Sequence, residues 1–189
     1  MEALSQKGLK ILIIVTVCMI TLALLIGATY LYTKVFYTDP LESALSDIAS
    51  IGTFKVEQLQ THSKIMVNFT VGEKLRSNFY LLLDQLKGQK NTNLENITID
   101  LSNNEDTTLQ SFLKRARLPV YEVISTGQFS ELPLYFEVIK AEISVEYNLE
   151  IDNDFIFITA TSGDNFAHMV INRGNSPLNV INTMGGEYL

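Results

Sequence analysis

The sequence predicts an α+β protein: one N-terminal transmembrane helix, then a single mixed α/β domain with a βαβ unit, two further helices and a C-terminal three-stranded antiparallel meander. Three observations carry that expectation. Positions 11–33 contain no charged residue. Two later segments, around Leu82 and around Phe112, repeat apolar residues at helical spacing. Beyond Tyr147 the apolar period falls to two, between clusters of Asp, Asn, Ser and Gly.

The uncharged run, at ~1.5 Å per helical residue, is long enough for the ~30 Å hydrocarbon layer of a bilayer with some tilt. A soluble core helix explains it poorly, because it has no polar face to turn towards solvent. Tyr30, Tyr32, Phe36 and Tyr37 gather at one end, where amphipathic rings favour the headgroup level, and Lys7 and Lys10 flank the other. Lys34 stands alone on the far side and is followed by Asp39, Glu42 and Asp47. The positive-inside bias therefore puts residues 1–10 in the cytoplasm and the domain outside. The rival is a cleaved signal peptide with Ile26-Gly27-Ala28 as its cleavage site, but the apolar stretch exceeds the ~7–15 residues of such a segment.

Residues 34–52 are expected to form a stalk helix. Asp39 caps it, Pro40 takes the first helical position, Glu42 reaches back as in a capping box, and Gly52 ends it. Strands follow at 54–59 and 64–70, the second alternating Ile65, Val67 and Phe69 with Met66 and Asn68. Thr70 and Glu73 open another capping box, behind which Leu75, Phe79, Leu82, Leu83 and Leu86 keep helical spacing until Gly88. Ile97, Ile99 and Leu101 then alternate with Thr98 and Asp100. Strand, helix and strand make a right-handed parallel crossover.

Leu109, Phe112, Leu113, Ala116, Val120, Val123 and Ile124 form the stripe of a long helix that ends at Gly127. Pro119 removes the bond to the Arg115 carbonyl, so a kink is expected there. Ser130 is placed to cap the next helix, with Phe129 and Leu134 as a hydrophobic staple and Leu132, Phe136, Ile139 and Ile143 as its buried face. Three strands close the domain, turning at Asp152-Asn153-Asp154 and at 162–165. The expected domain thus spans 53–172, and 173–189, rich in Gly and Asn without a period, reads as a flexible tail.

The strand Ile97-Thr-Ile-Asp-Leu101, the segment Ser125-Thr-Gly-Gln-Phe-Ser130 and the closing meander resemble a scattered family of single-pass membrane-anchored proteins of clostridial-type bacteria. That family has no assigned activity and brings no functional residues to carry over. The resemblance implies a bacterial envelope protein.

From Val35 onward there are eleven Lys and Arg against twenty Asp and Glu, a balance of −9. Such a domain repels nucleic acid, which needs a basic surface for counterion release. Cys18, the lone cysteine, lies within the apolar run, so an intramolecular disulfide or thiolate metal site is excluded, and Val17 before it disfavours a lipoprotein cysteine. His62 and His168 belong to no recognisable catalytic motif. Among the acidic residues 142–154, a glycosidase pair is an open but weaker reading than hairpin capping. Asp152-Asn153-Asp154 opens like a calcium loop, yet Ile156 occupies its fifth position.

Lys114, Arg115 and Arg117 form the one basic cluster of the acidic domain and are candidate partner-binding residues. The competing reading is a solvated helix face. Neither cofactor, metal nor catalytic residue is assigned. The function expected is a non-catalytic interaction or assembly module of the cell envelope, meeting a protein partner or copies of itself. Alternatives are a ligand-binding or sensor subunit that works with another membrane protein, and a carboxylate-dependent hydrolase.

Overall fold

A computed structural model describes residues 6–33, 43, 45–46, 48, 51–58, 62–70, 74–88, 93–103 and 106–183. The chain divides into two units, Met1–Glu42 and Ser43–Leu189. The first holds helix α1 (Gln6–Thr33). Within it Leu12–Tyr32 is long and apolar enough to cross a membrane, and none of its window is buried. The hydroxyls of Thr16, Thr21 and Thr29 donate to the carbonyls four residues back, at 2.9, 2.6 and 2.8 Å. Each such hydroxyl is satisfied inside the helix, as a hydrocarbon environment demands.

The second unit runs β1 (Ile51–Gln58), β2 (Ser63–Phe69), α2 (Leu75–Gly88), β3 (Ile97–Ser102), α3 (Thr107–Thr126), α4 (Leu132–Glu142), β4 (Glu146–Ile151), β5 (Phe155–Ser162), β6 (Asn165–Asn172) and β7 (Asn179–Thr183). It is α+β, as the patterning predicts. One sheet has the order β1-β2-β3-β7 and the other is the meander β4-β5-β6. Strands β2 and β3 are parallel, with Ile65 opposite Ile99, and α2 is their crossover.

Apolar spacing decides which side each element buries. Leu75, Phe79, Leu82, Leu83 and Leu86 form the buried stripe of α2. Phe79 meets Phe155 and Phe157 edge to face, with centroids 5.2 and 5.7 Å apart. On the opposite face of β5, Ile156, Ile158 and Ala160 join the core made by Leu109, Phe112 and Leu113 of α3 and Phe136 of α4. Strand β5 is therefore covered on both faces, which is why residues 155–160 are all buried and do not alternate.

Several local expectations change. The segment taken as a flexible tail contains β7, which lies parallel to β3 with Ile181 opposite Asp100. Gly52 does not end a helix but sits in β1, where the pairing register shifts between Ile51 and Thr53. A Cβ there would come within 2.3 Å of the Thr70 methyl, so any larger residue would have to displace the Thr70 side chain. Ser130 does not cap α4. A single 3-10 turn, Phe129–Glu131, leads in, Pro133 takes the first turn, and Leu134 is exposed instead of stapled. As expected, α3 continues through Pro119 as one helix and does not divide into two. The capping residues Asp39, Pro40, Glu42 and Glu73 lie outside the described residues.

The two sheets meet at β6 through asparagine side chains. Asn103 Nδ2 donates to the His168 carbonyl at 2.8 Å, and its Oδ1 accepts the His168 N–H at 2.6 Å. Asn182 treats Val170 in the same way, at 2.9 and 2.8 Å. Each amide carries one donor and one acceptor, so it satisfies an edge residue's N–H and C=O as a neighbouring strand would. Alternate residues of β6 are thereby closed off.

Candidate interaction surface

The hairpin of α3 and α4 carries the sequence-predicted basic residues. Asp106 starts α3, its Oδ1 accepting the N–H groups of Thr108 and Leu109 at 2.9 and 3.1 Å. The Leu109 N–H, followed by that of Thr108 and the Asn165 amide, outweighs partial burial and holds the Asp106 carboxyl below its ordinary range. Gly127 ends the helix at φ +77°, its N–H bonded to the Val123 carbonyl, and this left-handed residue lets the chain turn back into α4.

Lys114, Arg115 and Arg117 do not converge on one point. Arg115 pairs with Glu142 of α4. Both side chains are more than half exposed, so water screens the pair. Arg117 turns the other way, and its Nη2 donates to the Asn182 carbonyl of β7 at 3.0 Å. Lys114 is exposed on the outer surface of α3. Arg115 thus joins the two helices and Arg117 fastens the last strand.

Beside the Arg115–Glu142 pair lies an open groove of about 440 Å³, lined by Thr107, Thr108, Ser111 and Ser144. Its walls offer hydroxyls and one charge pair, and it is too open to exclude water from a small ligand.

Most of the other titratable groups discussed above are held by neighbouring elements. Asp100, expected on a polar strand face, is 2% exposed. It forms an ion pair with Lys64 at 2.8 Å, and its carboxylate accepts the N–H and hydroxyl of Thr183 at 3.1 and 2.7 Å. Buried His168 has Nδ1 3.1 Å from the Thr159 hydroxyl, and its ring lies edge-on to Phe69. Glu146 pairs with Lys140. His62 is an exposed residue just before β2.

Asp152 does the work expected of a hairpin turn. Its Oδ1 accepts the N–H groups of Asp154 and Phe155 at 2.9 and 2.8 Å. Its Oδ2 accepts the Tyr80 hydroxyl at 2.8 Å and lies 3.2 Å from Arg76 Nε. Burial pushes the Asp152 carboxyl up, but the Phe155 N–H, the Tyr80 hydroxyl, the Asp154 N–H and the Arg76 charge together hold it below the usual carboxylate range. Burial, then the Asp152 contact, pushes the Tyr80 hydroxyl up to about 12. This knot joins α2 to the β4–β5 turn. No group of three or more metal-ligating side chains occurs among the described residues.

A feature of the hairpin escaped the sequence reading. Leu118 and Tyr121 of α3 and Leu134 and Val138 of α4 are between 57% and 76% exposed. Leu118 and Tyr121 lie off the buried stripe, three residues apart, and Leu134 and Val138 are four apart, so each helix carries a second apolar row opposite its core face. That second row was the signal available in the sequence. Comparison of the chain with protein-family models, curated proteins and solved structures found no match.

Proposed function

We propose that this chain is a single-pass protein of the cell envelope, its N-terminus in the cytoplasm and its α+β unit outside as a non-catalytic interaction or assembly module. The observation that carries the reading is α1. It is apolar around its circumference, with none of its candidate span buried, while the unit from Ser43 onward has its own core. A helix of that composition needs hydrocarbon around it. Lys7 and Lys10 before the span, and the acidic balance after it, favour the stated orientation.

The non-catalytic reading draws support from what the reactive groups already do. Asp152 and Glu142 are held by cations from neighbouring elements, Asp100 is fastened to β2 and β7, and His168 is sealed between aromatic rings. Retention of the chain in membranes washed at alkaline pH, with proximity labelling that recovers a reproducible envelope protein or the chain itself, is the expected result. Release by the alkaline wash removes the anchor, and labelling with no reproducible partner removes the interaction role.

A further inference from the structure

We propose that the outer face of the α3–α4 hairpin is the contact between two copies of this chain. The Arg115–Glu142 pair fixes the level of the two antiparallel helices at one end of the hairpin. At the other, the left-handed Gly127 ends α3 and the short connection through Phe129–Glu131 leads into α4, which brings Glu122 level with Tyr135. Between these two ends, Leu118 stands level with Val138, and Tyr121 stands level with the stretch between Leu134 and Val138. The four exposed apolar side chains therefore form one patch. Apolar rows opposite the core on two adjacent helices are the pattern of a face that packs against other helices.

Charge selects a second copy as the occupant. Lys114 lies one turn before Leu118, at one end of the patch, and Glu122 and Glu131 lie at the other. A surface with a cation at one end and carboxylates at the other complements itself when inverted, as in an isologous two-fold contact. With the axis lying across the helices, α3 runs antiparallel to its counterpart. Leu118 of each copy then meets Tyr121 of the other, and Lys114 comes within one turn of the other copy's Glu122, inside the reach of its side chain. This inference rests on the anchored reading, since confinement to one membrane supplies the effective concentration that a small patch needs.

The test uses the full chain in its native membrane with Cys18→Ser as background. Leu118→Cys and Tyr121→Cys are placed in two differently tagged copies. Mild oxidation is expected to join them well above an Asn153→Cys control pair. Adding Lys114→Glu should lower the yield about tenfold, and Lys114→Glu with Glu122→Lys in the same chain should restore it. Yield at the control level, or yield indifferent to both charge changes, overturns the contact. An alkaline wash of the same membranes separates the two readings: a retained chain without cross-links overturns only this interface, and a released chain overturns the anchor.

Discussion

Arg117 of α3 donates to the backbone carbonyl of Asn182 in β7 at 3.0 Å, which ties the long helix to the last strand of the sheet. A basic side chain read as a candidate docking residue is thus part of the fold. Arg117→Gln is expected to lower unfolding free energy by roughly 1 kcal/mol, the order of one hydrogen bond from a charged donor discounted for partial exposure. Arg115→Gln, at a screened ion pair, should change it by less than about 0.5 kcal/mol. Urea titration of the two variants checks the difference, and equal effects would contradict it.

Asn182 itself should matter more. Its amide serves both backbone groups of Val170, so Asn182→Leu leaves a donor and an acceptor without that partner and is expected to cost about 1–3 kcal/mol. Asn182→Asp retains the acceptor for the Val170 N–H but sets a second acceptor against the Val170 carbonyl, so it should fall at the severe end. Amide hydrogen exchange at Val170 reports the seam directly, and unchanged protection in Asn182→Leu would contradict the clamp.

Phe79 and Phe112 anchor the cores on opposite faces of the meander, and both are fully buried. Substituting either by Ala is expected to cost about 3–5 kcal/mol through lost transfer energy and the cavity left behind. Denaturant melts measure it. A cost below about 1 kcal/mol at either site would mean that its helical face is misassigned.

These stripes were legible in the sequence because local spacing alone defines them. Leu75 to Leu86 and Leu109 to Val123 repeat with the helix, and the Asp and Asn clusters mark the turns of the meander. Strand β7 was not legible. Asn179-Val-Ile-Asn-Thr183 is short and follows Gly174 and Pro177, and what holds it is distant in sequence: Asp100 on Thr183, Arg117 on its backbone, and Val170 on Asn182. Asp100 was misplaced for the same reason, since only the arrival of β7 and Lys64 makes its burial tolerable. The basic cluster on α3 was legible as residues but not as contacts. Positions 114, 115 and 117 point in different directions around the helix, and Arg115 and Arg117 are held by elements the sequence could not dock.

The Tyr80–Asp152 contact predicts a pH dependence at both extremes. The folded Asp152 carboxyl lies below its unfolded value, so its contribution is present above the ordinary carboxylate range and is lost as pH falls through the folded value. Tyr80 is raised to about 12, so its contribution is full below about 10, the unfolded tyrosine value, and is lost as pH rises from there towards 12. Tyr80→Phe should flatten the alkaline limb of a stability profile and leave Asp152 without one acidic-side partner. An alkaline limb identical to that of the parent would contradict the assignment.

The side of the membrane on which the α+β unit lies tests the account most directly. In the Cys18→Ser background, Asn153→Cys places a thiol in the exposed β4–β5 turn, where a membrane-impermeant maleimide can reach it. On intact cells stripped of their wall, the account predicts labelling equal to that seen after detergent lysis. Labelling that appears only after lysis would place the domain in the cytoplasm and contradict the account.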